Sequence, residues 1–179
     1  MRGLVIGRFQ PFHKGHQAAI REALTKCDDL IVVIGSAELS HTSENPFTAG
    51  ERYQMLISSF TDEERPRIHI IPVRDVNRYA TWVNHVESYV PPFDFVLSNS
   101  ELTRSLFSAA GYESRKTKSY NSKHYSGTEI RRRIAAGEKW NHLVPSPVAQ
   151  MIEGLDGHQR LLDAGMCTRK RPRGGGNAR

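Results

Sequence analysis

Apolar residues in this chain fall in short runs rather than in sustained alternation. Leu4-Val5-Ile6 and Leu30 to Ile34 are apolar throughout, and Ile68 to Val73 and Phe93 to Leu97 are apolar apart from His69 and Asp94. A strand with one wet face would alternate, so these runs fit strands covered on both faces, as in a parallel sheet sandwiched by helices. Pro72 has no N–H for a ladder, which leaves the end of the third strand open. Helical patterns lie between the runs: Gln17 to Lys26, Ala49 to Phe60, Thr81 to Val90 and Leu102 to Ala110. In the second of these, Tyr53, Leu56, Ile57 and Phe60 share one stripe. A fifth strand is expected near Tyr112 to Thr117, and Ser146 to Ala164 reads as one or two further helices. Strand–helix alternation with short joins predicts a doubly wound α/β fold with about five parallel strands and C-terminal helices.

Three helix starts carry Ser or Thr followed three residues later by Glu, the capping-box pattern. They are Thr48 to Glu51, Ser98 to Glu101 and Ser126 to Glu129.

The whole-chain quantities narrow the class. At 179 residues the chain is long enough for one domain with a full core. No apolar run approaches the ~18–20 residues needed to span a membrane, and Met1-Arg2 leads straight into a strand without signal-peptide anatomy. The two cysteines, Cys27 and Cys167, form no CxxC pair, which argues against a disulfide framework or a Cys-rich zinc site. A cytoplasmic protein with no membrane partner is expected. The net charge of +6 points toward nucleic acid until its location is considered. Residues 167–179 hold Arg169, Lys170, Arg171, Arg173 and Arg179 with no acid; without those five, 20 basic residues face 19 acidic ones. Residues 1–166 are therefore read as one nearly neutral domain. Residues 167–179 are read as a basic, disordered tail with no apolar anchor, and nucleic acid is not the expected partner.

Candidate chemistry concentrates in two places. The first is Gly3 to Ile20, GLVIGRFQPFHKGHQAAI, where a strand gives way to a helix. Gly7 permits a tight exit. His13 and His16, three residues apart, share one side of the first helical turn. Free backbone N–H groups at a helix start favour anions. Gly15 lets a ligand approach, and the Arg8 guanidinium suits phosphate. Neither GxGxxG nor GxxxxGK[ST] is present. A zinc site would need a third ligand, and none sits nearby in sequence, so the histidines are read as phosphate donors and no resident metal is expected. The second place is His124 to Arg133, HYSGTEIRRR, where Ser126 caps a helix whose first residues are Gly127, Thr128 and Glu129 and whose next turn carries Arg131. Two anion seats facing one crevice would hold a triphosphate along its length.

Gly7-Arg8-Phe9-Gln10-Pro11-Phe12-His13-Lys14-Gly15-His16 resembles the (H/T)xGH signature of the nucleotidyltransferase superfamily. His124 to Arg131 resembles its second signature, (S/T)xxxR. Ile34 to His41 and Asn45 to Arg52 are similar to the archaeal type of nicotinamide-nucleotide adenylyltransferase, and the match runs from about Arg2 to about Glu153. The resemblance implies a Rossmann-like sheet and a direct in-line reaction: ATP plus nicotinamide mononucleotide gives NAD and pyrophosphate, with Mg²⁺ accompanying ATP. It implies that His13, His16 and Arg131 are catalytic, and that Gly7, Arg8, Phe9, Gly15, Ser126, Gly127, Thr128 and Arg131 bind ATP. For the nicotinamide nucleotide it implies Ser36, Phe47, Arg52, Asp75 and Trp82. Trp82 would stack on the ring or belong to the core; Arg52 would pair with the phosphate or cover its own helix. Archaeal relatives often carry a basic residue just before the Asp/Asn-Pro-Phe segment, where this chain has Glu44. They also tend to form hexamers, so a homo-oligomer is implied. Transfer to another phosphate acceptor, such as phosphopantetheine or FMN, and a non-catalytic nucleotide-binding regulator are the competing readings.

Overall fold

The computed structural model describes residues 1–117 and 125–166. His124 and the basic tail from Cys167 onward lie outside the described residues. Five strands among the described residues form one parallel sheet: β1 (Arg2–Gly7), β2 (Asp29–Ile34), β3 (Ile68–Pro72), β4 (Phe95–Leu97) and β5 (Glu113–Arg115), in the order β3-β2-β1-β4-β5. The helices are α1 (Lys14–Leu24), α2 (Ala49–Ile57), α3 (Tyr79–Glu87), α4 (Glu101–Ala109), α5 (Gly127–Ala135), α6 (Ser146–Gly154) and α7 (Gly157–Asp163). This is the Rossmann-like, doubly wound α/β fold.

The apolar runs are explained by two separate cores. Side chains of a strand alternate between faces. Leu30, Val32 and Ile34 of β2 join one cluster with Ile20 and Leu24 of α1, Met55 and Leu56 of α2, Ile130 and Ile134 of α5, and Val148 and Leu161 of α6 and α7. Ile31 and Val33 join the other with Val83 and Val86 of α3 and Phe107 of α4. Both faces are thus dry. Phe107 is fully buried and meets Trp82, Phe93 and Tyr112 at ring separations of 5.5, 6.0 and 5.8 Å. Truncating a phenylalanine in such a setting typically costs ~3–5 kcal/mol.

Three local expectations are corrected. The first helix begins at Lys14, three residues earlier than its periodicity indicates, because the His13 side chain caps it by accepting from His16 N at 3.2 Å. In α2, Tyr53 lies outside the buried stripe at 38 % exposure, and the buried positions are Arg52, Met55 and Leu56. The cap of α4 is Ser100, whose hydroxyl accepts from Thr103 N at 3.2 Å; Ser98 instead accepts from Ser100 N, tightening the turn after β4. Thr48 and Glu51 do close a full capping box at α2. Ser126 caps α5, but the Glu129 carboxylate turns away to Arg132 and Arg133.

Strand order reverses between β1 and β4. A crevice opens there at the carboxyl ends of both strands, where open α/β sheets bind their ligands.

Candidate active site

The two candidate anion seats pack against each other beside that crevice, although Ser126, Gly127, Thr128 and Arg131 do not line its cavity. The Arg131 Nη1 donates to Gln10 O at 2.7 Å, across 121 positions of sequence. At Gly127 a Cβ would lie 2.9 Å from the same oxygen, and at Gly15 a Cβ would lie 2.9 Å from Tyr125 Cβ. Glycine at these two positions therefore lets the start of α5 close against the start of α1. A cavity of about 290 Å³ at the crevice is lined by Ile6, Gly7, Phe9, His13, Gly15 and His16 from the first seat, by Leu97 to Ser100 after β4, and by Thr117 and Tyr125.

The histidines form a compact unit inside it. Their rings stack at 3.5 Å with a 14° interplanar angle, and His16 also stands edge-on to Phe9 at 4.9 Å. His13 Nδ1 accepts from His16 N, so neutral His13 carries its proton on Nε2. His16 Nδ1 is buried without a protein partner. Burial lowers the His13 pKa to about 4, and His16 is held well below the usual histidine range by burial and then by His13. Both are neutral N–H donors at pH 7.

This has a consequence for acid stability. Above pH 6.5 His13 is neutral in folded and unfolded chains. As pH falls from 6.5 toward 4, the unfolded chain takes up a proton that the folded one refuses, so stability declines and then levels off. The full effect at His13 is about 3 kcal/mol. The gap between urea midpoints at pH 7 and 5 should therefore narrow in His13→Asn, which keeps a capping side chain, with the remaining gap due to His16.

Of three consecutive arginines, only Arg131 faces inward. Arg132 and Arg133 bind Glu129, drawing its carboxyl pKa down to about 2, and Arg132 also binds Glu138. Arg131 is buried, donates Nε to Ser43 O at 3.0 Å, and directs Nη2 to Thr128 Oγ1 at 3.4 Å. Arg8 is exposed and faces Glu44, and it does not line the cavity.

The residues assigned to the second substrate do not all converge. Trp82 and Asp75 line a separate cavity of about 280 Å³ with Asn77, Arg78, Tyr79, Leu102, Thr103 and Leu106. The first turn of α4 lies between the two cavities, since Ser98 to Ser100 line one and Leu102 to Leu106 the other. Trp82 is half-buried, so it belongs partly to the core and partly to this cavity. Phe47 is fully buried; its backbone N and O are clasped by the Gln10 side chain at 3.0 and 2.8 Å. Its ring is a core element rather than a substrate contact. Arg52 is fully buried as well, and its five N–H donors go to the carbonyls of Thr48, Arg8, Gly35, Ser36 and Leu39. No donor remains for a substrate phosphate. Ser36 is buried at φ 47°, and its carbonyl is one of those acceptors. Gln10, Ser98, Asn99, Thr117 and Tyr125 were not anticipated as site residues. Only the strand order, which leaves no mark in sequence, brings the β4 turn beside β1.

A switch-point crevice built from an HxGH turn and an S-G-T helix start defines a nucleotidyltransferase, and the chain matches the cytidylyltransferase-like family over residues 4–133. Within that class the chain belongs to the nicotinamide-nucleotide adenylyltransferase family. It is 48 % identical over 161 residues to the nicotinamide-nucleotide adenylyltransferase of Methanococcus aeolicus, covering 90 % of this chain and 93 % of the relative. It is 49 % identical over 162 residues to that of Methanosarcina acetivorans, covering 90 % and 92 %. The fold is shared with a crystal structure of a bifunctional NMN adenylyltransferase/ADP ribose pyrophosphatase from Francisella tularensis, complexed with AMP and Mn ion, at TM-score 0.74 and 23 % identity. That alignment covers 91 % of this chain but only 51 % of the bifunctional one, so the chain spans about half of that protein's length.

Proposed function

We propose that this enzyme transfers AMP from ATP to nicotinamide mononucleotide, giving NAD and pyrophosphate. The convergence of two helix-start anion seats on Gln10 O is the observation that supports it best. An oxygen of the mononucleotide phosphate attacks the α-phosphorus in line. A new P–O–P bond forms, the bond from the α-phosphorus to the bridging oxygen breaks, and that oxygen leaves with the electron pair on pyrophosphate. The protein contributes position and charge stabilisation rather than a nucleophile.

Adenosine occupies the cavity beside Gly7, Phe9, Ser98 and Tyr125. His13 and His16 donate to the phosphates at the reacting centre, with Gly15 giving close access. Ser126, Gly127 and Thr128 present the α5 start to the outer phosphates. Arg131 binds the same phosphates, and Arg8 contacts them at the mouth. The nicotinamide end lies in the Trp82 and Asp75 cavity, where the aromatic face suits a flat cationic ring. Arg52, Ser36 and Phe47 serve that substrate by shaping the loop, not by touching it.

Among the described residues no three His, Cys, Asp or Glu side chains gather as a metal cage. That donor set fits Mg²⁺ entering on ATP and ligated mainly by phosphate oxygens. When bound, the cation neutralises phosphate charge. No described helix is long and apolar enough to cross a membrane. The cytoplasmic setting and the homo-oligomer implied by the resemblance belong to this proposal.

The test is direct. Protein supplied with Mg²⁺, ATP and nicotinamide mononucleotide should form NAD and pyrophosphate in equal amounts. Replacing the acceptor with FMN or phosphopantetheine should give no adenylylated product. Faster turnover with either would overturn the substrate assignment; ATP binding with no product from any acceptor would favour a regulator.

A further inference from the structure

The anion seat carries an acid of its own. Glu44 stands in the turn between β2 and α2, and its Oε2 lies 3.8 Å from Arg8 Nη1. The turn is fastened on both sides of it. Arg131 Nε donates to Ser43 O at 3.0 Å, Asn45 N donates to Thr42 Oγ1 at 3.0 Å, and Thr42 N donates to Asn45 O at 3.2 Å. The arginine assigned to the outer phosphates thus also holds the residue next to Glu44, and the Glu44 charge acts on Arg131 against that of Arg8. As a bridge the pair is weak, because the side chains are 57 % and 75 % exposed. Its location is what matters. The carboxylate gives Arg8 another partner when no phosphate is bound, so a phosphate that takes the guanidinium must displace it.

We propose that Glu44 is a positioning residue acting through Arg8: it competes with bound pyrophosphate for that guanidinium and so promotes release of the leaving group. This rests on the reaction proposed above. ATP and pyrophosphate should feel the acid unequally. ATP is also held through its adenosine in the cavity beside Tyr125, whereas pyrophosphate depends on the anion seats alone.

The experiment compares wild type, Glu44→Gln, Arg8→Ala and the double variant. It measures the KM for MgATP, product inhibition by inorganic pyrophosphate, and pyrophosphate binding by calorimetry without turnover. Glu44→Gln should tighten pyrophosphate by about three- to fivefold and lower the ATP KM by about twofold or less, with both effects shrinking as salt rises. In the Arg8→Ala background the same substitution should change pyrophosphate binding by less than about twofold. Unchanged pyrophosphate binding in Glu44→Gln overturns the proposal, as does equal tightening without Arg8. A raised MgATP KM with a higher Mg²⁺ requirement also overturns it, by making Glu44 a metal contact. If wild type makes no NAD, the reaction assignment fails instead, and the calorimetric arm still decides whether Glu44 opposes pyrophosphate.

Discussion

His16→Ala is expected to lower kcat by about 10²–10³-fold while changing the ATP dissociation constant by less than about threefold. The reason is differential stabilisation. Negative charge moves onto the departing pyrophosphate only as the anhydride bond breaks, so a donor aimed there acts mainly in the transition state. Removing one such donor from a water-poor site costs about 2.7–4 kcal/mol. His16 is suited to this role because its neutral ring is already in place, stacked at 3.5 Å on His13 and wedged against Phe9. Its buried Nδ1 has no protein partner, so that atom is not engaged in holding the fold. The measurement is a single-turnover rate beside calorimetric ATP binding. A loss confined to KM, with kcat unchanged, would mean that His16 binds ground and transition states alike and would remove it from the catalytic group.

The parts of this site that could be read in the sequence are local. The HxGH turn, the S-G-T helix start and the four apolar strand runs each depend on residues within a few positions of one another. What stayed hidden depends on distance along the chain. Gln10 looks like a residue held extended by Pro11, yet its amide clasps Phe47, 37 positions away. Phe47 is assigned to the nicotinamide nucleotide by the resemblance, yet its side chain is fully buried. Tyr53 satisfies the helical period as well as Met55 does, and only the packing of α2 on the sheet decides which is covered. Strand order is the extreme case. The same apolar runs permit several orders, and the Ser98 to Ser100 turn joins the site only because β4 lies next to β1.

Arg52 is the residue on which sequence and structure differ most, and Arg52→Met tests the difference. Read as a phosphate ligand, Arg52 could be replaced with little loss of stability, and the KM for nicotinamide mononucleotide would rise. Its surroundings require the opposite. The guanidinium is fully buried, forms no ion pair among the described residues, and is pushed down to a pKa of about 10 by desolvation, so it still carries its charge at pH 7. That charge is balanced by carbonyl oxygens. Nη1 reaches Arg8 O and Gly35 O at 2.9 Å each, Nη2 reaches Ser36 O at 3.1 Å and Leu39 O at 3.5 Å, and Nε reaches Thr48 O at 3.2 Å. One side chain therefore ties the exits of β1 and β2 to the start of α2. Methionine fills much of the volume but strands these acceptors. Hydrogen bonds to charged groups contribute ~1.5–3 kcal/mol each, and part of that returns as the loop rehydrates and the desolvation of the charge is relieved. A net loss of about 3 kcal/mol is expected, lowering Tm by roughly 6–12 °C for a chain of this size. Arg52→Lys should fall between, because an ammonium has three donors for five acceptors. Turnover measured well below Tm should drop in both variants through kcat, since Arg8 and Ser36 lose their anchor, whereas an unshifted Tm with only a raised KM would return Arg52 to the substrate.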